Sequence, residues 1–130
     1  MKLLKFQNVL IILYHSFCFG DLIRPSYGQE LNYIHVVFEW KQKPDATHYQ
    51  LELIELNSNS TWLIDSLKTN LFIDRSNVLW NKIYQWRVRA LLHSNDYTQW
   101  SEPSVFITKE SKLHFVNIHF SHHTTCVDRP

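Results

Sequence analysis

Two arginines and a tryptophan form the first group of residues that could do chemistry. Arg87 and Arg89 stand two positions apart, and Trp100 follows in a later segment. A guanidinium can stack on an indole face, and an exposed contact of this kind contributes about 0.5–1 kcal/mol. Cations beside an aromatic ring are also common anchors for a partner. The three residues are therefore interpreted both as a structural stack and as a candidate interaction face.

Large aromatic side chains near predicted loops form the second group. Trp62 follows a polar loop, Trp80 lies between two predicted strands, and Tyr97 comes just after a turn. An exposed ring at loop level could stack on a sugar. These three residues are candidate sugar-stacking positions, and the alternative is that they pack against the end of the domain.

A modification site and a histidine-rich end complete the candidates. Asn59-Ser60-Thr61 matches the acceptor pattern for N-glycosylation in a predicted loop. The end of the chain carries side chains of metal-binding type, but their spacing matches no standard zinc pattern. They are His114, His119, His122, His123 and Cys126. We predict no metal site, and a metal-dependent activity of this end is a third hypothesis.

The sequence contains no motif of a familiar catalytic class. It has no nucleophile elbow, no glycine-rich phosphate loop and no helical zinc-protease motif. A small β-rich domain also offers few deep clefts of the kind that most active sites need. We predict that the protein is not an enzyme and that it uses no cofactor.

Length, composition and charge favour one globular domain. A chain of 130 residues with 45% hydrophobic and 15% aromatic residues can bury a single ordinary core. The formal net charge is +1, and no polybasic stripe is present, which argues against nucleic acid as a partner.

The first 20 residues have the pattern of an export signal. Lys2 and Lys5 precede a short apolar stretch that ends at Gly20, and cleavage is expected after Gly20 or after Gly28. We predict a signal peptide, in helical form, over residues 1–20 and a secreted or cell-surface protein. Contact with a membrane is expected only if this segment stays uncleaved. After cleavage Cys126 is the one cysteine left, so no intrachain disulfide is predicted.

Seven short strands are predicted between residues 21 and 109. Clusters of Asn, Asp, Ser and Pro separate them and supply the turns. The strands, labelled A, B, C, C′, E, F and G, cover residues 22–31, 34–40, 48–56, 61–67, 70–74, 84–92 and 105–108. This pattern indicates an all-β antiparallel sandwich. Residues 110–130 are predicted to be a flexible tail or the start of a truncated continuation.

Strand F has the clearest pattern of the seven. Strict alternation places Tyr84 and Trp86 on one face and Arg87 and Arg89 on the other. The same parity argument predicts that Trp40, Tyr49 and Trp86 belong to the core.

Four motifs, in their order and spacing, resemble a fibronectin type III domain of an exported or cell-surface protein. They are Phe38-Glu39-Trp40, Ala46 with Tyr49-Gln50-Leu51, the run from Tyr84 to Ala90, and Trp100-Ser101-Glu102-Pro103. The resemblance implies a tyrosine corner, in which Tyr84 hydrogen-bonds backbone in the E-to-F connection. In cytokine-receptor relatives of this fold a Trp-Ser repeat forms an arginine ladder, and Trp100-Ser101 resembles half of such a repeat.

The resemblance implies a non-catalytic module rather than an activity. We expect a spacer or a protein-interaction domain. The alternative is a carbohydrate-associated accessory module of a polysaccharide-degrading system, with an extracellular polysaccharide as the partner. Because this fold hosts many functions, the fold alone does not choose between them.

Overall fold

The computed structural model of the protein describes residues 22–110. Their regular structure consists of eight strands, which are β1 Leu22–Arg24, β2 Gln29–Leu31, β3 Val36–Trp40, β4 Ala46–Glu55, β5 Ser60–Leu67, β6 Leu71–Asp74, β7 Ile83–Leu92 and β8 Ser104–Thr108. Within this range no helix is long and apolar enough to cross a bilayer. The predicted signal peptide and the end of the chain beyond residue 110 lie outside the described residues.

The strands form two sheets that face each other across the core. One sheet has the order β1-β3-β6 and the other has the order β2-β8-β7-β4-β5. Neighbouring strands pair antiparallel, except that β2 runs parallel to β8. The all-β sandwich is therefore confirmed, whereas the predictions of seven strands and of purely antiparallel pairing are wrong.

The extra strand arises because predicted strand A is divided between the two sheets. Pro25 lacks an N–H group, and its buried carbonyl accepts hydrogen bonds from Trp86 Nε1 at 3.2 Å and from Ser104 Oγ at 3.1 Å. Gly28 then adopts a positive φ of 77° and donates its N–H to the carbonyl of Val105 at 2.7 Å. These contacts draw the chain from the edge of β3 to the edge of β8.

Aromatic side chains from both sheets fill the space between them. Trp86 on β7 is fully buried and meets Phe38 on β3 edge-on, with ring centroids 5.0 Å apart. Trp40 packs on Tyr49 in the same manner at 5.4 Å. The prediction that Trp40, Tyr49 and Trp86 form the core is confirmed. Edge-to-face pairs of this kind add about 0.5–1.5 kcal/mol each to the burial of their surface.

The connection from β6 to β7 is organised by a buried carboxylate. Asp74 is 1% exposed, and its Oδ2 accepts hydrogen bonds from the backbone N–H groups of Ser76, Asn77 and Val78 at 3.2, 2.9 and 3.0 Å. A buried charge needs partners of this kind because it has lost its hydration. The carboxylate therefore holds the first turn of the connection against the core.

Tyr84 holds the second half of the same connection. Its hydroxyl accepts a hydrogen bond from the N–H of Leu79 at 2.8 Å and donates one to the carbonyl of Asn77 at 3.4 Å. The ring is fully buried, and this burial raises the pKa of the hydroxyl. Asn81 has a positive φ of 58° before β7 begins, a conformation that Asn tolerates better than most residues. The two hydrogen bonds of the Tyr84 hydroxyl are backbone contacts of the kind that the sequence resemblance implies for this residue.

Replacing the Tyr84 hydroxyl tests how much this connection contributes to the fold. Tyr84→Phe leaves the Leu79 N–H without its partner, so we expect the free energy of unfolding to fall by about 1–3 kcal/mol. Tyr27→Phe is the matched control because Tyr27 is 80% exposed. Urea titration of the two variants and the parent measures the effect, and equal stabilities of all three would contradict it.

Candidate interaction face

The outer face of the five-stranded sheet presents paired polar side chains from β4 and β7. The antiparallel register places Glu52 opposite Arg87 and Gln50 opposite Arg89. Arg87 Nε lies 2.5 Å from Glu52 Oε2, and Arg89 Nε donates to Gln50 Oε1 at 2.7 Å. Both arginines lie on the outer face, as the strand parity predicts, and both are held there from the β4 side.

The C-terminal half of β7 has β4 on one side, and on its other side it is hydrogen-bonded to the segment that leads to β8. Thr98 N–H donates to the carbonyl of Ala90, and Ala90 N–H donates to Thr98 Oγ1 at 3.0 Å. Ser101 repeats the arrangement with Val88, where the N–H to Oγ distance is again 3.0 Å. The two hydroxyls take the place of strand carbonyls, and the segment is pinned along β7.

This pinning stacks aromatic rings on both arginines. The Trp100 ring centroid lies 4.8 Å from Arg87 Cζ and 4.6 Å from Arg89 Cζ, and Arg89 Cζ lies 4.2 Å from the Tyr97 ring centroid. The stacking order is Arg87, Trp100, Arg89 and Tyr97, and we call these four residues the arginine–aromatic ladder. The Tyr97 hydroxyl also accepts a hydrogen bond from Gln50 Nε2 at 3.1 Å.

The ladder contains one member that the sequence assigns elsewhere. Tyr97 is a sugar-stacking candidate in the sequence, but the structure places it in the ladder with Arg89 against its ring. The signal for this position is the repeat Tyr97-Thr98-x-Trp100-Ser101, in which each aromatic residue is followed by a hydroxyl residue. The second half of this repeat is recognisable alone, and the first half becomes recognisable once Tyr and Thr are allowed in it.

Charge on the ladder is incompletely balanced. Arg87 is paired with a carboxylate, whereas Arg89 binds the neutral carboxamide of Gln50. The two guanidinium groups of the ladder, together with the carboxylate of Glu52, form a cluster of net charge +1. The cluster is accessible to solvent in part, since Tyr97 is 43% exposed and Trp100 is half-buried.

The other two sugar-stacking candidates lie in different environments. Trp62 on β5 is opposite Leu53 and packs against the hydrophobic core. Trp80 lies in the connection between β6 and β7 and is 36% exposed. Of these two, Trp80 is therefore the candidate whose ring is better placed to meet a ligand at loop level.

Asn59 lies exposed in the turn between β4 and β5 and has a positive φ of 56°. The Ser58 hydroxyl in the same turn donates a hydrogen bond to the Glu55 carboxylate. This bond lowers the pKa of the Glu55 carboxyl, and Lys82, whose Nζ lies 3.5 Å from Glu55 Oε1, acts in the same direction. The turn that presents the glycosylation candidate is thus fixed by a carboxylate at the end of β4.

Residues 22–110 contain no cluster of three or more His, Cys, Asp or Glu side chains that could hold an ion. The histidines and the cysteine of the third hypothesis lie outside the described residues.

Comparison with known proteins identifies the fold. The chain is similar to the crystal structure of an Fn3-like protein from Clostridium thermocellum, with a TM-score of 0.53 and 15% sequence identity. The similarity covers 69% of this chain and 90% of the other. No protein-family profile and no curated protein matches the sequence. The fold is fibronectin type III-like, as the sequence resemblance implies.

Removing the indole of Trp100 tests the ladder. Trp100→Ala removes two cation–π contacts of about 0.5–1 kcal/mol each, so the free energy of unfolding should fall by about 1–2 kcal/mol. Trp80→Ala is the control for losing an indole outside the ladder, and its effect should be smaller. Thermal and urea unfolding measure both, and a Trp100→Ala protein as stable as the parent would contradict the structural role of the stack.

The Ser58 hydroxyl gives the stability of the β4–β5 turn a specific pH dependence. A carboxyl whose pKa is lowered by folding stabilises the fold above its unfolded pKa, which is about 4.3 for Glu, and this contribution is lost as the pH falls through the folded value. Ser58→Ala should therefore be less stable than the parent at pH 7, and the two should converge in acid. Ser94→Ala, in an exposed turn, should match the parent throughout. Denaturant titrations from pH 7 into acid provide the test. A difference in stability between Ser58→Ala and the parent that widens in acid would contradict the prediction.

Proposed function

We propose that the protein is a secreted or cell-surface β-sandwich module without catalytic activity, which binds a protein partner through the arginine–aromatic ladder. The observation that carries this proposal is the stacking of Arg87 and Arg89 with Trp100 and Tyr97 on an outward sheet face. Tryptophan, tyrosine and arginine are the residue types that contribute most to binding energy at protein interfaces.

The ladder is also preorganised for binding. Arg89 lies between two rings and donates a hydrogen bond to Gln50, so little side-chain freedom is left for it to lose when a partner arrives. The net positive charge of the cluster favours an acidic segment on the partner surface. The partner we expect therefore combines a carboxylate for Arg89 with apolar surface for the exposed part of Tyr97.

Binding to an extracellular polysaccharide is the second candidate. Three aromatic residues support it in the sequence, but Trp62 packs against the core and Tyr97 stacks on Arg89. Trp80 is left as the candidate with an exposed ring outside the ladder. A single stacking ring is a weaker basis for a sugar site than a four-residue ladder is for a protein site.

The export part of the proposal depends on the signal-peptide pattern of residues 1–20 and on the resemblance to exported proteins. A β-sandwich held by an aromatic core, without a disulfide among the described residues, is compatible with this location because the core supplies the stability.

Site-specific photo-crosslinking can test the binding face. A crosslinking amino acid is placed at Gln99, which is exposed beside Trp100, and in a second protein at Leu71, which is 39% exposed on the other sheet. Each of the two proteins is mixed with the extracellular fraction of the cells that produce the protein, and the mixture is irradiated. We expect a protein adduct from position 99 and none from position 71.

The captured partner is then purified, and its affinity is measured for the parent and for variants. Arg89→Lys keeps the charge but removes the planar stack, and should weaken binding about 10-fold, while Trp80→Ala should not change it. Adducts from position 71 alone would place the contact on the three-stranded sheet and contradict the proposal. Glycan binding that Trp80→Ala abolishes would favour the carbohydrate alternative, and a folded domain with neither activity would favour a spacer.

A further inference from the structure

A second feature of the outer face of the five-stranded sheet is a row of aliphatic side chains. Leu56 N–H donates to the Ile83 carbonyl at 2.9 Å, and Ile83 is opposite Ile107 on β8. Leu56 is 39% exposed, Ile83 is 37% exposed and Ile107 is half-buried. The row runs from the residue after β4, across β7, to β8, and it lies at the end of the sheet where β7 begins, away from the ladder.

A second row extends this surface by one step along the strands. Ile54 and Val105 lie opposite Gln85 on its two sides, and both are half-buried. Residues i and i+2 of a strand share one face and are about 6.6 Å apart, so Ile54 adjoins Leu56 and Val105 adjoins Ile107, with Gln85 between the two members of the second row. We call the five aliphatic residues of these rows the aliphatic patch; they are Ile54, Leu56, Ile83, Val105 and Ile107.

The chain leaves the described fold beside this patch. Thr108 N–H donates to the Lys82 carbonyl, and Glu110 N–H donates to Asn81 Oδ1 at 3.2 Å. Both acceptors lie within two residues of Ile83, at the edge of the patch. Whatever follows Glu110 therefore starts next to exposed aliphatic surface.

The sequence that follows has a composition suited to that surface. Residues 113–120 read Leu-His-Phe-Val-Asn-Ile-His-Phe and contain no Asp, Glu, Lys or Arg. Five of these eight residues are apolar. An extended chain advances about 3.3 Å per residue and strands are about 4.8 Å apart, so this segment is long enough to cross the patch.

We propose that residues 113–120 lie on the aliphatic patch and cover it. Apolar side chains on both surfaces leave water together, which is the main driving force for such a contact. Exposed aliphatic side chains elsewhere are more isolated from the patch: Leu63 on β5 lies opposite the charged Glu52, and Ile73 is on the opposite sheet, where the ion pair of Arg24 with Glu39 interrupts the apolar surface. The inference goes beyond the proposed function because it concerns a different part of the face and leaves the ladder open.

Methyl NMR of the isoleucines tests the proposal on the full chain. Ile δ1 methyl spectra are compared for the parent, a chain ending at Glu110 and a full chain carrying Phe115→Asp with Ile118→Asp. We expect both altered chains to shift the Ile83 and Ile107 methyls in the same direction, and neither to shift Ile73, which is 42% exposed on the other sheet. An unchanged Ile73 signal also shows that the domain remains folded, since Ile73 lies on β6 and the substituted residues lie outside the described fold.

Two further arms separate this occupant from others. Spectra recorded on dilution should be unchanged, since the contact lies within one chain, and removing residues 1–21 should leave Ile83 and Ile107 where they are. Unaltered Ile83 and Ile107 methyls after loss of the tail would overturn the proposal. Shifts that follow dilution would assign the patch to a second copy, and shifts that follow removal of residues 1–21 would assign it to the N-terminal segment.

Discussion

The alternation of side chains along β7 is the constraint on which both the core and the candidate face depend. Successive residues of a strand must point to opposite sides of the sheet. In β7 this places Tyr84 and Trp86 in the core, fully buried, and Arg87 and Arg89 on the outer face. A slip of one residue would turn both guanidinium groups into the core, where unpaired charge is strongly unfavourable. The register of β7 is thereby fixed, and with it the positions of β4 and β8 on its two sides.

Much of this arrangement follows from local sequence. Parity alone assigns Trp40, Tyr49 and Trp86 to the core, and the structure confirms all three. The division of the first predicted strand does not follow in the same way. Pro25 and Gly28 signal a turn, but the pairing of β2 with β8 joins segments that are far apart in the chain. A local pattern carries no information about which sheet edge will accept a strand after such a turn.

The candidate face shows the same division between local and distant information. Arg87 and Arg89 are found from the strand pattern, because their neighbours fix which way they point. Tyr97 lies in a segment without strand periodicity, and its place beside Arg89 depends on the hydroxyl of Thr98 bonding to β7. Trp62 faces the core because the β4–β5 register sets it opposite Leu53, and the length of the hairpin turn determines that register. Each outcome depends on a contact between elements that sequence spacing alone does not supply.

The most direct test of an ordered ladder is the NMR signal of the arginine side chains themselves. In the structure the guanidinium groups of Arg87 and Arg89 lie over aromatic rings, and their Nε–H groups donate to Glu52 and Gln50. Ring currents and hydrogen bonding should therefore give two arginine Hε resonances that are displaced from the signals of solvent-exposed arginine and exchange slowly with water. Two Hε signals at the positions of free arginine, with fast exchange, would mean that the ladder does not form in solution.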